Sequence, residues 1–444
     1  MIIKLKIIVN LAVLIGAIII FFNLNMEEIS ADESLVSDYG ANSRIPSGIE
    51  FFIDLNSIID IEDIQIKFKI DGRKSLQYEY IDIPKNFNSG QITHFFSTTR
   101  SDRYIPPGSL LSYYFEIFFE DGSKIKTENK DKIVLDSRFE WEVISGNIVS
   151  VYFHGPVNRR AKNVLEACEN IVIEMSNLMG VKDNKMISLI MYNNYSEMFD
   201  VVVKKSETQA NSLITEGQAF GTENVVLVDG GSGSALGVAT HEITHIVVAR
   251  ASKSSYTGVP LWLNEGLAEV ANIEPSGSFD RYLEWAIDTG RIFPFSSLNR
   301  FPGDPNLTLV AYGQSKSFVQ YLIDYYPDGS MSDLMSNISE RLPFNDSFQK
   351  AYGKPLDEIE NDWRKSLGIT KIYGETDIET DVSGQNNEKL DEITEIKDEN
   401  TSISPNNSSC NNGGSMGIDI ALVCFFTILY FVRKYKFNTE KRNI

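Results

Sequence analysis

His241-Glu242-Ile243-Thr244-His245 is the stretch that decides how the rest of this chain is interpreted. On a helix, residues i and i+4 share a face, so the imidazoles of His241 and His245 can both reach one Zn²⁺. Glu242 is rotated around the same helix, where its carboxylate reaches a water molecule rather than the metal. The alternative is two histidines on an ordinary helix. The chain has only 4 histidines, which makes a chance match of this pattern rare.

A catalytic zinc ion needs a third protein ligand and one open position. Residues 261–268 read Leu-Trp-Leu-Asn-Glu-Gly-Leu-Ala and predict the start of a second helix. Glu265, 20 positions after His245, is the expected third ligand, because this separation allows a loop and a returning helix. Glu269 lies one turn further on. It is interpreted either as an acceptor for a ligand imidazole N–H or as a solvated helix charge, and both alternatives stay open.

The surrounding sequence predicts an α+β domain over residues 139–368. Apolar residues recur at helical spacing over 161–178, and Gly180 is placed to end that helix. Strands are predicted at 186–192 and 225–228. The Gly-rich turn 230–233 lacks the Gly-Lys-Ser/Thr ending of a phosphate-binding loop, so we do not expect a nucleotide site there.

Residues 45–136 have strand-like patterning without helical periodicity. Residues 64–70 alternate strictly between apolar and polar, and residues 110–119 are aromatic-rich and run to the hairpin signal Asp121-Gly122. Short strands at this spacing predict a small antiparallel β-sandwich of the immunoglobulin-like type. We expect it to act as a spacer or docking module.

The two ends of the chain predict export and a membrane anchor. Residues 1–31 have a basic start, an apolar run and a small residue before an acidic one, as in a signal peptide or signal anchor. Residues 416–432 predict a C-terminal transmembrane or sorting segment, and residues 433–444 a basic cytoplasmic tail. Residues 373–412 are expected to form an acidic disordered stalk. The expected location is the cell membrane, with the central part extracytoplasmic.

The composition argues against nucleic-acid binding and against a cysteine-based metal site. The net charge is −20, which argues against nucleic acid as a partner, because binding to phosphates needs a basic surface. The 3 cysteines form no evident disulfide framework and cannot supply a cysteine-based metal site.

The H-E-x-x-H motif followed by a Trp-Leu-Asn-Glu-Gly-x-Ala segment resembles the gluzincin metallopeptidases. The chain as a whole is most similar to the bacterial peptidase MA-like family, in which an N-terminal β-sandwich precedes a gluzincin domain. The segments 104–108, 136–141 and 311–315 also look like that family. The resemblance implies a two-domain fold with a thermolysin-like α+β zincin domain, a Zn²⁺ cofactor and a peptide or protein substrate. It also implies that His241, His245 and Glu265 bind zinc and that Glu242 is the general base.

Two further expectations concern how a substrate is handled. Tyr312 is the candidate donor to the developing oxyanion, although a tyrosine in a helix core is the alternative. Zinc aminopeptidases carry a Gly-x-Met-Glu-Asn motif for the substrate amine, whereas residues 221–224 read Gly-Thr-Glu-Asn without the Met. The alternative interpretation of this segment is the start of an edge strand at 225–228, along which a substrate backbone can pair.

The predicted function is therefore a membrane-anchored, extracytoplasmic zinc endopeptidase rather than an aminopeptidase. Two other classes remain open: a catalytically inactive zinc-binding protein, and an adhesion or scaffold protein that uses the β-sandwich for recognition.

Overall fold

A computed structural model describes residues 29–30, 35–203, 216–253 and 258–369. Its contacts divide the chain into two units. The first unit holds the described residues up to 253 together with Ala271–Pro275, and the second holds residues 258–270 and the described residues from Ser276 onward. Apart from residues 29–30, the predicted signal segment lies outside the described residues. So do the predicted stalk, the C-terminal apolar segment and the basic tail. None of the helices that are described is both long enough and apolar enough to cross a membrane.

The first unit begins with strands in two sheets, which we call the N-terminal sheets. One sheet has the order β1-β8-β7-β4-β5 with β9 paired to β7, and the other has the order β2-β3-β6. Among these described strands every pair is antiparallel except β1–β8. The strands are β1 (Ile29–Ser30), β2 (Val36–Arg44), β3 (Gly48–Leu55), β4 (Ile61–Ile70), β5 (Gln77–Tyr80), β6 (Gly90–Ser97), β7 (Ser109–Phe119), β8 (Lys124–Lys126) and β9 (Lys130–Val134).

Alternation along these strands places one apolar face of each sheet in a shared core. Ile66 and Phe68 of β4 are fully buried, as are Phe51 of β3 and Phe115 of β7. The rings of Phe51 and Phe68, which belong to different sheets, have centroids 5.1 Å apart. The predicted antiparallel all-β region is therefore present, and its inward faces are the alternate residues that the sequence pattern marks.

The first unit continues with a third sheet and three helices. The sheet has the order β10-β11-β12-β14-β13, in which β11, β12 and β14 are parallel and the two outer strands are antiparallel. Helices α1 and α3 contact each other, and α3 also contacts β13 and β14. The elements are β10 (Glu142–Ser145), β11 (Val149–Phe153), α1 (Asn158–Met179), β12 (Ile187–Tyr192), α2 (Tyr195–Phe199), β13 (Gly217–Phe220), β14 (Val225–Asp229) and α3 (Ala235–Ala251).

The predicted helix and strands of this part are found, with one correction. Helix α1 ends at Gly180, which has the left-handed φ of 71° that favours glycine at this position. The expectation that 225–228 form an edge strand is wrong, because β14 is hydrogen-bonded to both β12 and β13. All five residues of β14 are buried. A continuous apolar run of this kind is typical of an inner strand. The edge strands of this sheet, among the described residues, are β10 and β13.

The described part of the second unit is helical, as the sequence predicts. Its core contains a cluster of rings from Trp262, Phe295, Phe318 and Trp363, with centroid separations between 4.2 and 5.5 Å. The helices are α4 (Leu261–Ala271), α5 (Gly277–Asp288), α6 (Pro305–Tyr325), α7 (Ser330–Ser339), α8 (Phe344–Tyr352) and α9 (Leu356–Ser366).

Replacement of Phe115 tests the shared core of the N-terminal sheets. We expect Phe115→Ala to destabilise the protein by about 3–5 kcal/mol, because it removes a fully buried ring and leaves a cavity. The matched control is Phe95→Ala, whose ring is 50% exposed and which should change stability by less than about 1 kcal/mol. Urea denaturation followed by near-ultraviolet circular dichroism measures both. Equal shifts in the two variants would contradict this core assignment.

Candidate metal and catalytic site

Helix α3 carries the H-E-x-x-H motif inside the first unit. Nearly all of its residues are buried, including those on the side opposite the histidines, as expected for an apolar helix covered on every face. His241 is 1% exposed and His245 is 6% exposed. Their Nε2 atoms lie 3.2 Å apart. Two nitrogen ligands in a zinc tetrahedron are about 3.4 Å apart, given bonds of 2.0–2.1 Å. The two rings therefore have the spacing that a shared zinc ion requires.

The position of Glu265 on helix α4 is fixed by the packing of residues on either side of it in the sequence. Trp262 is 1% exposed and packs in the ring cluster of the second unit. A Cβ on Gly266 would lie 2.6 Å from the backbone oxygen of Ser315, so only glycine allows this approach between α4 and α6. Glu265 itself is fully buried. The Trp-Leu-Asn-Glu-Gly segment therefore fixes the glutamate by packing on both sides of it.

His241, His245 and Glu265 form a group of potential metal ligands. Each offers one ligand atom, and these atoms all lie within 4.8 Å of one another. Two imidazoles and one carboxylate are the donor set of a catalytic zinc site, in which a fourth position stays open for water or substrate. The three residues that the sequence singled out as ligands are thus brought together, and their chemistry fits zinc.

Glu242 lies on the turn of α3 that carries the histidines, next to the edge strand β13. Its side chain is fully buried. A Cβ added to Gly217, at the start of β13, would lie 2.5 Å from Cγ of Glu242 and 2.7 Å from a methyl group of Val238. Glycine at this position therefore lets the edge strand pass directly beside the Glu242 side chain.

Glu269 and Tyr312 have buried positions. Glu269 is 1% exposed, which excludes the solvated-charge interpretation, and its role toward a ligand imidazole stays a prediction. Tyr312 of α6 is 3% exposed. Its ring stacks on Phe279 at a centroid distance of 5.2 Å and meets Phe301 edge-on. These contacts fit the helix-core alternative, and the proposed donation to an oxyanion also stays a prediction.

Sequence reasoning missed the segment that holds the beginning of α3. The Glu274 carboxylate accepts a hydrogen bond from the Gly237 amide at 3.0 Å, and Ile273 donates its amide to the Thr240 hydroxyl at 3.2 Å. A carboxylate at a helix N-terminus is stabilised by the free amides and the helix dipole. Glu274 is 37 positions from Gly237 in the chain, so no local pattern marks this contact.

A second hydrogen bond connects the segments that precede β13 and α3. Glu216 lies directly before β13, and Ser234 lies directly before α3. The Glu216 carboxylate accepts a hydrogen bond from the Ser234 hydroxyl at 2.9 Å. Burial raises the pKa of the Glu216 carboxyl above its usual value, and the nearby Asp229 carboxylate raises it further. The edge strand and the motif helix are therefore connected where both begin.

Residues 167–369 match the family model described as Peptidase MA superfamily. The expected resemblance to the peptidase MA-like family is confirmed over this segment, which includes α3 and α4. No curated protein matches the chain.

Solved structures add weaker similarities. An M1 zinc metallopeptidase from Deinococcus radiodurans is 10% identical, with a TM-score of 0.33 and coverage of 72% of this chain and 89% of that chain. The bromine derivative of BhCBM56 is 12% identical, with a TM-score of 0.18 and coverage of 23% of this chain and 97% of that chain. Both TM-scores are too low to carry an argument. The family match and the His-His-Glu group support the predicted class, a zinc-dependent hydrolase.

Metal analysis of purified protein tests the ligand group. We expect about one zinc ion per chain, and we expect His245→Ala and Glu265→Ala each to weaken zinc binding at least about a hundredfold, because each removes one of three protein ligands. The control is His94→Ala, on β6, which should retain zinc. Mass spectrometric zinc content and competition with a chelator give the numbers. Unchanged zinc affinity in either ligand variant would contradict the assignment.

Proposed function

We propose that this chain is a zinc metallopeptidase that cleaves internal peptide bonds, with Glu242 as the general base. The observation that carries this proposal is the group of His241, His245 and Glu265, with Glu242 on the same turn of α3. The match of residues 167–369 to the Peptidase MA superfamily supports the same reaction class.

His241, His245 and Glu265 would hold the zinc ion. When bound, zinc acidifies a water molecule and polarises a carbonyl group, which makes peptide hydrolysis feasible at neutral pH. The Glu242 carboxylate accepts the proton that the attacking water loses, and it then donates that proton to the leaving amine nitrogen. Burial of Glu242 excludes bulk water around this carboxylate, which strengthens its interaction with a nearby proton donor.

The edge strand β13 supports binding of an extended peptide. Its antiparallel pairing to β14 uses one side of its backbone, and an extended substrate can add to the other side as a further strand. Because Gly217 brings this strand beside Glu242, a peptide paired along β13 would have its backbone close to the proposed base. The sequence predicts substrate pairing along residues 225–228, whereas the structure makes residues 217–220 the strand available for it.

The position of Glu223 supports an endopeptidase. Strand β13 runs from Gly217, beside Glu242, to Phe220, and Glu223 follows in the turn beyond its far end. Three strand steps alone separate Gly217 from Phe220 by about 10 Å. Glu223 is moreover paired with Arg73 at 2.7 Å. A carboxylate so placed is unsuited to binding the N-terminal amine of a substrate cleaved beside Glu242.

The proposal extends to fold and location. The two N-terminal sheets with a shared core support an immunoglobulin-like sandwich, and the motif helix with a returning glutamate helix supports a thermolysin-like zincin domain. The apolar and basic character of residues 1–31 and 416–444 supports an extracytoplasmic protein anchored in the cell membrane. Peptides or proteins outside the cytoplasm are then its substrates.

Glu242→Gln separates catalysis from metal binding. We expect this variant to retain zinc and to lower kcat about 10²–10⁴-fold, because the amide cannot accept the proton from the attacking water. The control is Glu284→Gln on the exposed face of α5, which should retain full activity. Cleavage of a quenched fluorescent peptide library gives kcat, and zinc content is measured on the same samples. If zinc-loaded wild-type protein cleaves no peptide, an inactive zinc-binding or scaffold role replaces the proposal.

Blocked peptides test the position of cleavage. We expect peptides with an acetylated N-terminus to be cleaved at internal bonds at rates within about threefold of their free-amine counterparts, because Glu223, the candidate for binding the amine, is already paired with Arg73. Mass spectrometry of the products identifies the cleaved bonds. Loss of activity on acetylated peptides, together with stepwise removal of N-terminal residues, would establish an aminopeptidase instead.

A further inference from the structure

We infer that the N-terminal sheets are a working part of the peptidase, in which Arg73 and Tyr104 position the edge strand β13 for substrate binding. This inference rests on the proposed function, since it concerns the strand to which we assign the substrate backbone. It differs from the sequence-based expectation that residues 45–136 are a spacer or docking module.

Arg73, in the turn after β4, reaches the turn between β13 and β14. Its Nε donates to Glu223 Oε1 at 2.7 Å, and its terminal nitrogen donates to the backbone oxygen of Tyr104 at 2.8 Å. The side chains of Arg73 and Glu223 are 24% and 10% exposed, so the pair is largely shielded from water. A charge-assisted hydrogen bond in such surroundings is stronger than one on the open surface.

Tyr104 adds a second contact with the edge strand. Its ring lies 5.7 Å from the ring of Phe220, the last residue of β13. Its hydroxyl donates to the backbone oxygen of Val201. Burial raises the pKa of the Tyr104 hydroxyl well above its ordinary value, and the Glu223 carboxylate adds to this effect, so the group stays a donor over the physiological range.

The backbones of the two turns also meet directly. Gly72 has φ of 81°, and a Cβ there would lie 1.7 Å from the backbone oxygen of Thr222. The approach therefore requires glycine both for its conformation and for its size. On the other side of the same turn, Arg250 of α3 donates to Asn224 Oδ1 at 2.8 and 2.9 Å.

The turn 221–224 is thus held between the N-terminal sheets and the helix that carries the metal-ligand motif. Arg73 fixes Glu223 from one side, and Arg250 fixes Asn224 from the other. Because this turn continues directly from β13, its position determines where the strand lies beside Glu242. A spacer needs no partly buried ion pair with the turn that follows β13, whereas a positioning element does.

The test replaces the ion pair in the full-length chain. We expect Arg73→Met and Glu223→Gln each to raise KM for an extended peptide about tenfold and to change kcat less than about threefold, because the strand contributes to binding in both the ground and the transition state. Zinc content should stay unchanged. The double variant should be no worse than either single variant, since both remove the same contact.

Hydrogen exchange gives a readout that is independent of activity. We expect amides of residues 217–229 to exchange about tenfold faster in Arg73→Met, which is the effect of losing roughly one charge-assisted hydrogen bond. The matched control is Arg100→Met, because Arg100 also pairs with a carboxylate, that of Asp102, but is 68% exposed. The control should change neither exchange nor KM. If Arg73→Met does not fold, Arg73→Lys is used instead. Lysine keeps the positive charge but cannot donate to Glu223 and Tyr104 with the geometry of a guanidinium, and we expect about threefold changes in exchange rate and KM.

The outcomes separate this inference from the proposed function. Exchange and KM in Arg73→Met that equal those of Arg100→Met would overturn the inference, as would faster exchange with an unchanged KM. If wild-type protein has zinc but cleaves no peptide, the proposed function fails. In that case faster exchange in Arg73→Met would still establish that the N-terminal sheets hold β13, and its absence would refute it.

Discussion

The close packing of one polar turn inside an apolar helix is the constraint on which the rest of this structure depends. His241, Glu242 and His245 are all buried on α3, whose other residues are mostly apolar. Burial of such groups is costly unless partners or a metal ion compensate it. The elements around α3 must therefore be placed closely enough to hold these side chains, and α1, β13 and β14 all contact the helix. Gly217 shows how close the placement is, since a Cβ at this position would lie 2.5 Å from Cγ of Glu242.

The pairing of His241 with His245 could be predicted from sequence because its geometry is local. The i and i+4 spacing in one helix fixes the directions of His241 and His245, whatever surrounds them. Helix α1 was predictable for the same reason, since its apolar period and the glycine at its end are both properties of a short segment. The position of β14 in its sheet is not a local property, because the order of strands depends on pairings across the chain. Its uniformly apolar residues were the signal for an inner strand.

Contacts over long sequence distances could not be predicted. Arg73 and Glu223 are 150 positions apart, and Glu274 and Gly237 are 37 apart. Neither pair belongs to a periodic pattern or to a motif with fixed spacing. The segment 311–315 presents a different difficulty, because its resemblance to a family does not indicate what Gly313 and Gln314 do. Gly313 allows contact with the backbone of Phe279, and Gln314 makes hydrogen bonds to the amide and the carbonyl of Phe293. These residues serve packing in the helical unit.

The turn 221–224 shows how one motif-like segment can serve different purposes. A glutamate that binds a substrate amine must keep its carboxylate available for that cation. Here Glu223 already accepts a charge-assisted hydrogen bond from Arg73, in a position that is only 10% exposed. Exchange of the guanidinium for a substrate amine would first break a hydrogen bond that contributes about 1.5–3 kcal/mol. It would also leave the Arg73 charge without its partner in a poorly hydrated place. The chemistry of this turn therefore favours a fixed support for β13 over a binding site for the end of a peptide, which is the arrangement that the proposed endopeptidase requires.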